Sequence, residues 1–188
     1  MATSSLVADL KGVLTGKVDA FLRVVKAPNV GLAFGFVLIS QCLFVLASSF
    51  GLELGNLGLG WPALIGRGVF GFVTAVLLVV AYHWTSQHWF HGNKVGLAGF
   101  FTLYGYTSVV MWLQPVPILN FVAVVWLAVL FFKEMKAVLG FGFWKTFGTA
   151  LLTGILVMIV VGLVVNLTGL DSMLGLEGSF NFSSNLNY

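Results

Sequence analysis

Residues Thr102 to Phe121 read TLYGYTSVVMWLQPVPILNF, an apolar stretch interrupted by two closely spaced prolines, Pro115 and Pro117. Proline lacks an N–H and disfavours helix in the residue before it, so QPVP predicts a break between two helices. Backbone without helical hydrogen bonds needs water or protein partners in lipid, which favours a tight turn at a membrane surface. The alternative is one kinked helix, but about 35 residues rising 1.5 Å each would exceed a bilayer.

The composition is that of an integral membrane protein. Of the 188 residues, 59% are hydrophobic and 8% are charged, whereas a soluble domain carries about 25% charged residues. The mean hydropathy of +1.03 agrees. This length predicts one compact bundle, and charges throughout the N-terminal segment argue against a cleavable signal peptide.

Five apolar segments have the length that a membrane crossing requires, about 20 residues, or come close to it. The predicted spans are residues 31–50, 68–84 (with a start as early as 61), 95–113, 118–132 and 146–167. With a cytoplasmic N-terminus and an external C-terminus, Arg67 lies outside. The other basic residues lie inside, as the positive-inside rule expects: Lys11, Lys17, Arg23, Lys26, Lys94, Lys133, Lys136 and Lys145. The predicted fold class is therefore all-α, a transmembrane bundle of five helices.

Residues 1–28 form the first of three predicted regions, an amphipathic helix that Pro28 ends. Its apolar residues recur at helical spacing: Val7, Leu10, Leu14, Val18, Phe21 and Val25. Two placements are open, a helix lying in the membrane interface and a helix packed under the bundle. Residues 29–168 form the transmembrane domain, and residues 169–188 form a polar external tail.

Small residues predict close helix packing at two places. Gly31 and Gly35 form a GxxxG motif in the first span, and Gly154 belongs to a face of small residues in the fifth. Such faces let helix backbones approach each other, either inside one bundle or across a dimer.

The sequence offers little for catalysis or ion transport. The predicted spans contain no Asp, Glu, Lys or Arg, and since ionisable residues inside a membrane mark ion paths, an ion-coupled transporter is not expected. The absence of ionisable residues does not exclude a passive pore or a lipid scramblase. No nucleophile or phosphate-binding signature and no nucleic-acid-binding patch is found, so neither an enzyme nor a nucleic-acid partner is expected.

Three histidines, His83, His88 and His91, lie near the end of the second span. Their predicted role is a belt of imidazole and aromatic rings at the membrane boundary. Two alternatives are an axial ligand for a bound pigment at His83 and a metal site at His88 and His91, which would share a helical face. No cofactor is predicted, and membrane lipids are the expected bound molecules.

The order of these parts resembles the Yip1 domain family. Four segments carry the resemblance: FLRVVKAPNVGLAFGFV, LYGYTSVVMWLQPVP, VVWLAVLFFKEMKAVLGF and FWKTFGTALLTGILVMIVVG. It implies five spans, a non-enzymatic role and family positions at Tyr104, Gly105, Tyr106 and Pro117. At these positions the tyrosines would bond across helices, the glycine would allow close approach, and the proline would help to form the turn. The likeness is to the small prokaryotic form, which implies a bacterial or archaeal cytoplasmic membrane.

Eukaryotic members of that family act in vesicle traffic and contact small GTPases, and they carry a long cytoplasmic N-terminal tail. This sequence lacks such a tail, so the resemblance does not carry GTPase binding over to it. The resemblance favours a scaffold or adaptor that organises membrane or partner proteins, alone or as a homo- or hetero-oligomer. One alternative is an accessory subunit of a larger, energy-transducing membrane complex. Another is a permease for small neutral or lipidic molecules, with a polar path along Ser40, Gln41, Thr74, Tyr104, Thr107 and Ser108.

Overall fold

The computed structural model describes residues 3–49, 61–113 and 116–168, and the chain is helical through most of these ranges, with no strand in them. The all-α fold class is therefore confirmed. The helices are α1 (Thr3–Leu14), α2 (Val18–Lys26), α3 (Val30–Ser49), α4 (Trp61–His88), α5 (Leu97–Ser108), α6 (Pro117–Glu134) and α7 (Phe143–Thr168). A 3-10 turn (Val109–Leu113) extends α5, and a π-helical turn (Met135–Leu139) extends α6.

The described residues support three to four membrane crossings. Leu64–His88, Ile118–Leu139 and Phe143–Thr168 are each long and apolar enough to span a bilayer. A fourth crossing results if α2 and the first part of α3, which meet at 116°, form one broken span. The five predicted spans fall on α3 to α7, but α5 with its 3-10 turn is shorter than the others, so the count of five stays a prediction.

The long helices pack in alternating directions. α3 and α5 lie side by side and run the same way, because Ala33 contacts Gly105 and, further along both helices, Ser40 bonds to Trp112. α4 runs in the opposite direction, and its early residue Gly68 meets Val45 near the end of α3. α7 packs along α4.

The helix break predicted at QPVP is present. Val116 is extended, with φ −97° and ψ 116°, and Pro117 lies in the first turn of α6, where its missing N–H leaves no intrahelical bond unmade. α6 then returns alongside α5, since Val110 and Ala123 lie in one buried cluster. Pro115 lies outside the described residues, and so does the predicted tail, residues 169–188.

The prediction of a single amphipathic helix at the N-terminus is wrong. The segment forms two helices, and the chain reverses at Gly16, whose φ of +71° is in the left-handed region that glycine adopts without steric cost. We call α1 and α2 together the N-terminal hairpin. A Cβ placed on Gly12 would lie 2.5 Å from the Cβ of Ala20, so the two helices are in close contact.

The N-terminal hairpin packs against the bundle. Ala20 and Phe21 are fully buried in a cluster shared with α5 and α6, whereas Val7 and Val18, two members of the predicted stripe, are exposed. Of the two open placements, the structure therefore favours the packed one. The physical reason is that the reversal lets apolar side chains of both helices, Val13 of α1 and Phe21 of α2, be buried in one cluster with the bundle.

Candidate functional site

The three consecutive residues Tyr104, Gly105 and Tyr106 of α5 point in different directions, because successive helical residues are rotated by about 100°. Gly105 faces α3. A Cβ at this position would lie 2.6 Å from the Cα and 2.7 Å from the carbonyl oxygen of Ala33. Only glycine allows the two backbones to approach this closely, so Gly105 has the geometry that the family resemblance implies.

Tyr106 faces the N-terminal hairpin. It is buried in the cluster that contains Phe21, and its ring meets Phe36 edge-on at 5.5 Å between centroids. Beside it, the Nε of Arg23 donates to the Oδ1 of Asp9 over 3.0 Å, bridging α2 and α1. These three side chains line a cavity of about 260 Å³. Tyr106 thus joins the hairpin to the bundle.

Tyr104 faces the other way, towards α4 and α6. It lines a cavity of about 190 Å³ that we call the inner cavity. The polar groups in its wall come from Tyr82, Tyr104, Thr107 and Glu134, and the rest of the wall is apolar. The inner cavity therefore brings hydroxyl groups and one carboxyl group together inside an otherwise apolar bundle.

Glu134 is the residue of this cavity that sequence reasoning missed. It is 5% exposed, and its Oε1 atom has no hydrogen-bond partner among the described residues. The predicted fourth span ends at residue 132, two positions before this glutamate. Helix α6 instead includes Glu134, which lies one and two turns beyond Leu130 and Leu127 on the same face. That shared spacing was the available signal. The predicted span, residues 118–132, holds no ionisable group, but the helix extends beyond it to Glu134.

The predicted polar path does not line a single cavity. The Oγ of Ser40 donates to the carbonyl oxygen of Ser108 over 3.1 Å and accepts from the indole of Trp112 at 2.9 Å, so these groups link α3 to α5. Thr107 faces the inner cavity, whereas Gln41 lines another cavity, of about 460 Å³, between α3 and α4. The hydroxyl groups of the path therefore serve separate contacts.

The three histidines are not arranged as a shared site. α4 ends at His88, and His91 follows with a positive φ of 51°, so the two do not share a helical face as predicted. The Nε2 of His83 lies 2.8 Å from the carbonyl oxygen of Val95, to which it donates. His88 stacks on Trp84, with 5.3 Å between ring centroids. Within the described ranges, no group of three or more His, Cys, Asp or Glu side chains could hold a metal ion.

The glycines of the predicted packing faces behave differently from Gly105. Within the described part of the chain, no atom lies within 4 Å of a Cβ built on Gly35 or Gly154. A Cβ on Gly31 would meet only the side chain of Asn29, at 4.0 Å. The close backbone approach predicted at these positions is instead found at Gly105, which the resemblance had singled out for this role.

The fold is that of a helical, multi-pass membrane protein with a helical hairpin packed at its N-terminus. The sequence model of the Yip1 domain matches residues 11–165, a range that runs from α1 to α7. The chain belongs to the Yip1 domain family, whose members are generally non-enzymatic membrane proteins. The family predicted from the sequence is thereby confirmed. A search of curated proteins and a search of solved structures each found no match.

Proposed function

We propose that this Yip1 family protein is a non-enzymatic scaffold that holds membrane lipids and other membrane proteins at one end of its bundle. We call that end the basic end. It is formed by exposed side chains from the N-terminal hairpin, from the connection that follows α4, from the end of α6 with its π-helical turn, and from the start of α7: Lys11, Lys17, Arg23, Lys26, Lys94, Lys133, Lys136 and Lys145.

The observation that carries this proposal is the set of contacts that gather these segments. Gly16, at the reversal of the N-terminal hairpin, lies against the side chain of Lys133 on α6. The backbone N–H of Asn93 donates to the carbonyl oxygen of Leu139 over 3.2 Å, which joins the connection after α4 to the π-helical turn. Segments far apart in sequence therefore present their cations together.

Clustered lysine and arginine side chains next to a bilayer attract anionic headgroups, at about 1 kcal/mol for each cation near the surface. The exposed apolar side chains of α6 and α7, among them Ile118, Phe121 and Leu167, are suited to contact with acyl chains. The basic end would then face the cytoplasm, with five helices crossing the membrane and the C-terminus outside. No cofactor is part of this proposal.

Site-specific photo-crosslinking in native membranes tests the scaffold role. A photoreactive residue at Lys17 or Lys136 should give crosslinks to discrete membrane proteins, because both positions lie on the basic end. The matched control is Val69, which is exposed on α4 and should crosslink mainly to lipid. Protein adducts that are equally frequent at all three positions, or absent from the basic end, would contradict a dedicated partner surface.

Crosslinking combined with co-purification and with flux measurements separates the alternatives. If the protein is an accessory subunit, each position that contacts a partner should crosslink to the same set of protein chains. Those chains should also co-purify with it at a fixed stoichiometry. A permease should instead release a small solute from liposomes that contain only the purified protein, and this flux should fall in a Gln41→Leu variant.

A further inference from the structure

The inner cavity has the size of a small-molecule site. Its volume is about 190 Å³, while an engineered apolar cavity of about 150 Å³ is large enough to bind benzene. Three helices build it, since Leu78 and Tyr82 come from α4, Tyr104 from α5, and Leu127 and Glu134 from α6. A single ring or a short alkyl group with one polar substituent would fit this volume.

The carboxyl group in the wall of the inner cavity has no cationic partner among the described residues. The Oε1 atom of Glu134 is buried and has no hydrogen-bond partner in the described part of the chain. The ion pair found there joins Arg23 to Asp9 and does not involve Glu134. The neighbouring Lys133 and Lys136 are exposed. A buried carboxylate is costly unless it is paired, so this site favours a ligand that brings a positive charge.

Aromatic rings surround the same space. Tyr82 meets Phe131 edge-on at 5.2 Å and lies 6.1 Å from Phe100, measured between ring centroids, and all three rings line the cavity with Tyr104. The faces of aromatic rings attract cations, and aromatic cages are a common means of binding organic ammonium groups. Aromatic walls and an unpaired carboxyl group therefore favour the same kind of ligand.

The backbone beside the carboxyl group is unusual as well. Glu134 is followed directly by the π-helical turn Met135–Leu139, and Met135 also lines the cavity. Single π-helical turns inside α-helices occur frequently at functional sites. Here the π-helical turn begins directly after Glu134, the residue of α6 whose carboxyl group lines the inner cavity.

We propose that the inner cavity binds a small organic amine in its cationic form, with the ammonium group donating to Glu134 and to the Tyr82 hydroxyl and lying against the aromatic walls. The ligand's apolar part then fills the space between Leu78, Leu103 and Leu127. This binding site goes beyond the scaffold role and does not depend on it.

Benzylamine is a suitable probe because it joins one ring to one ammonium group, and benzyl alcohol is its neutral counterpart of similar shape. Binding to the purified 188-residue chain would be measured by equilibrium dialysis in a non-ionic detergent. The reference is the Glu134→Gln variant in micelles of the same detergent. We expect saturable binding of benzylamine by the native protein, and affinity at least tenfold weaker in Glu134→Gln. Benzyl alcohol should not distinguish the two proteins.

A second variant keeps the test valid if Glu134→Gln fails to fold. Leu127→Phe narrows the cavity without changing the carboxyl group, and it should also weaken benzylamine binding. The matched control is Leu163→Phe, at an exposed position of α7, which should leave binding unchanged. Benzylamine binding that is absent, that equals benzyl alcohol binding, or that survives both cavity substitutions would overturn the proposal.

Discussion

Trp126 of α6 donates a hydrogen bond from its indole Nε1 to the carbonyl oxygen of Leu14, over 2.9 Å. The last carbonyl groups of a helix have no intrahelical partner, so α6 supplies one for the end of α1. The contact joins residues that are 112 positions apart in the sequence. It fixes the reversal of the N-terminal hairpin against the bundle and thereby the position of Lys17 on the basic end.

Replacing Trp126 with Phe should loosen the N-terminal hairpin while keeping an aromatic ring on α6. One hydrogen bond contributes about 1 kcal/mol, so amides of residues 3–26 should exchange with solvent several times faster. Hydrogen exchange followed by mass spectrometry measures this change. Trp144→Phe is the control, because Trp144 is 79% exposed. Equal exchange in the two variants would mean that the indole contact does not hold the hairpin.

Gly105→Ala should destabilise the bundle. The new Cβ would lie within 2.7 Å of backbone atoms of Ala33, and forcing an atom into packed helices costs about 1–3 kcal/mol. The midpoint of thermal unfolding in detergent should fall. Gly35→Ala is the matched control, because open space surrounds that position and alanine stabilises a helix by up to about 1 kcal/mol over glycine. A thermal unfolding midpoint that rises in both Gly105→Ala and Gly35→Ala would exclude the close contact between α3 and α5.

Single cysteines introduced into a Cys42→Ser background test the crossing of α5 and α6. A membrane-impermeant maleimide added outside should label Val116→Cys and leave Lys94→Cys and Lys136→Cys unlabelled. The reason is that the basic residues are expected on the cytoplasmic side, with the helix break at the other surface. After the cells are opened, the two unlabelled positions should react. Labelling of Val116→Cys and Lys136→Cys from the same side would reject five crossings.

The ion pair between Arg23 and Asp9 should contribute little to stability, although its atoms are only 3.0 Å apart. The arginine side chain is 58% exposed, and exposed pairs contribute about 0–1 kcal/mol. A double-mutant cycle with Asp9→Asn and Arg23→Gln should give a coupling energy in that range, and salt should reduce it further. A coupling above about 2 kcal/mol would show that the pair is shielded from water in the membrane-embedded protein.

The helix break at QPVP could be predicted because proline acts through its own backbone, with no need of a distant partner. The N-terminal hairpin could not be predicted in the same way. Its apolar residues fit one helical stripe, and the reversal at Gly16 is stabilised by contacts with Leu130 and Lys133 on α6. The inner cavity was missed for a related reason, since the side chain of Glu134 is buried by rings from α4 and α5.

Composition, hydropathy and the two prolines by themselves determined the class of protein, the apolar helices and the helix break, because each depends on residue type and spacing along the chain, and four sequence segments carried the resemblance to the family. The tertiary structure decided where the N-terminal helices lie and what surrounds the buried Glu134, and it placed the close helix contact at Gly105 and not at Gly31, Gly35 or Gly154. Those features depend on the partner that each side chain meets across the bundle, and sequence spacing within one helix carries no information about that partner.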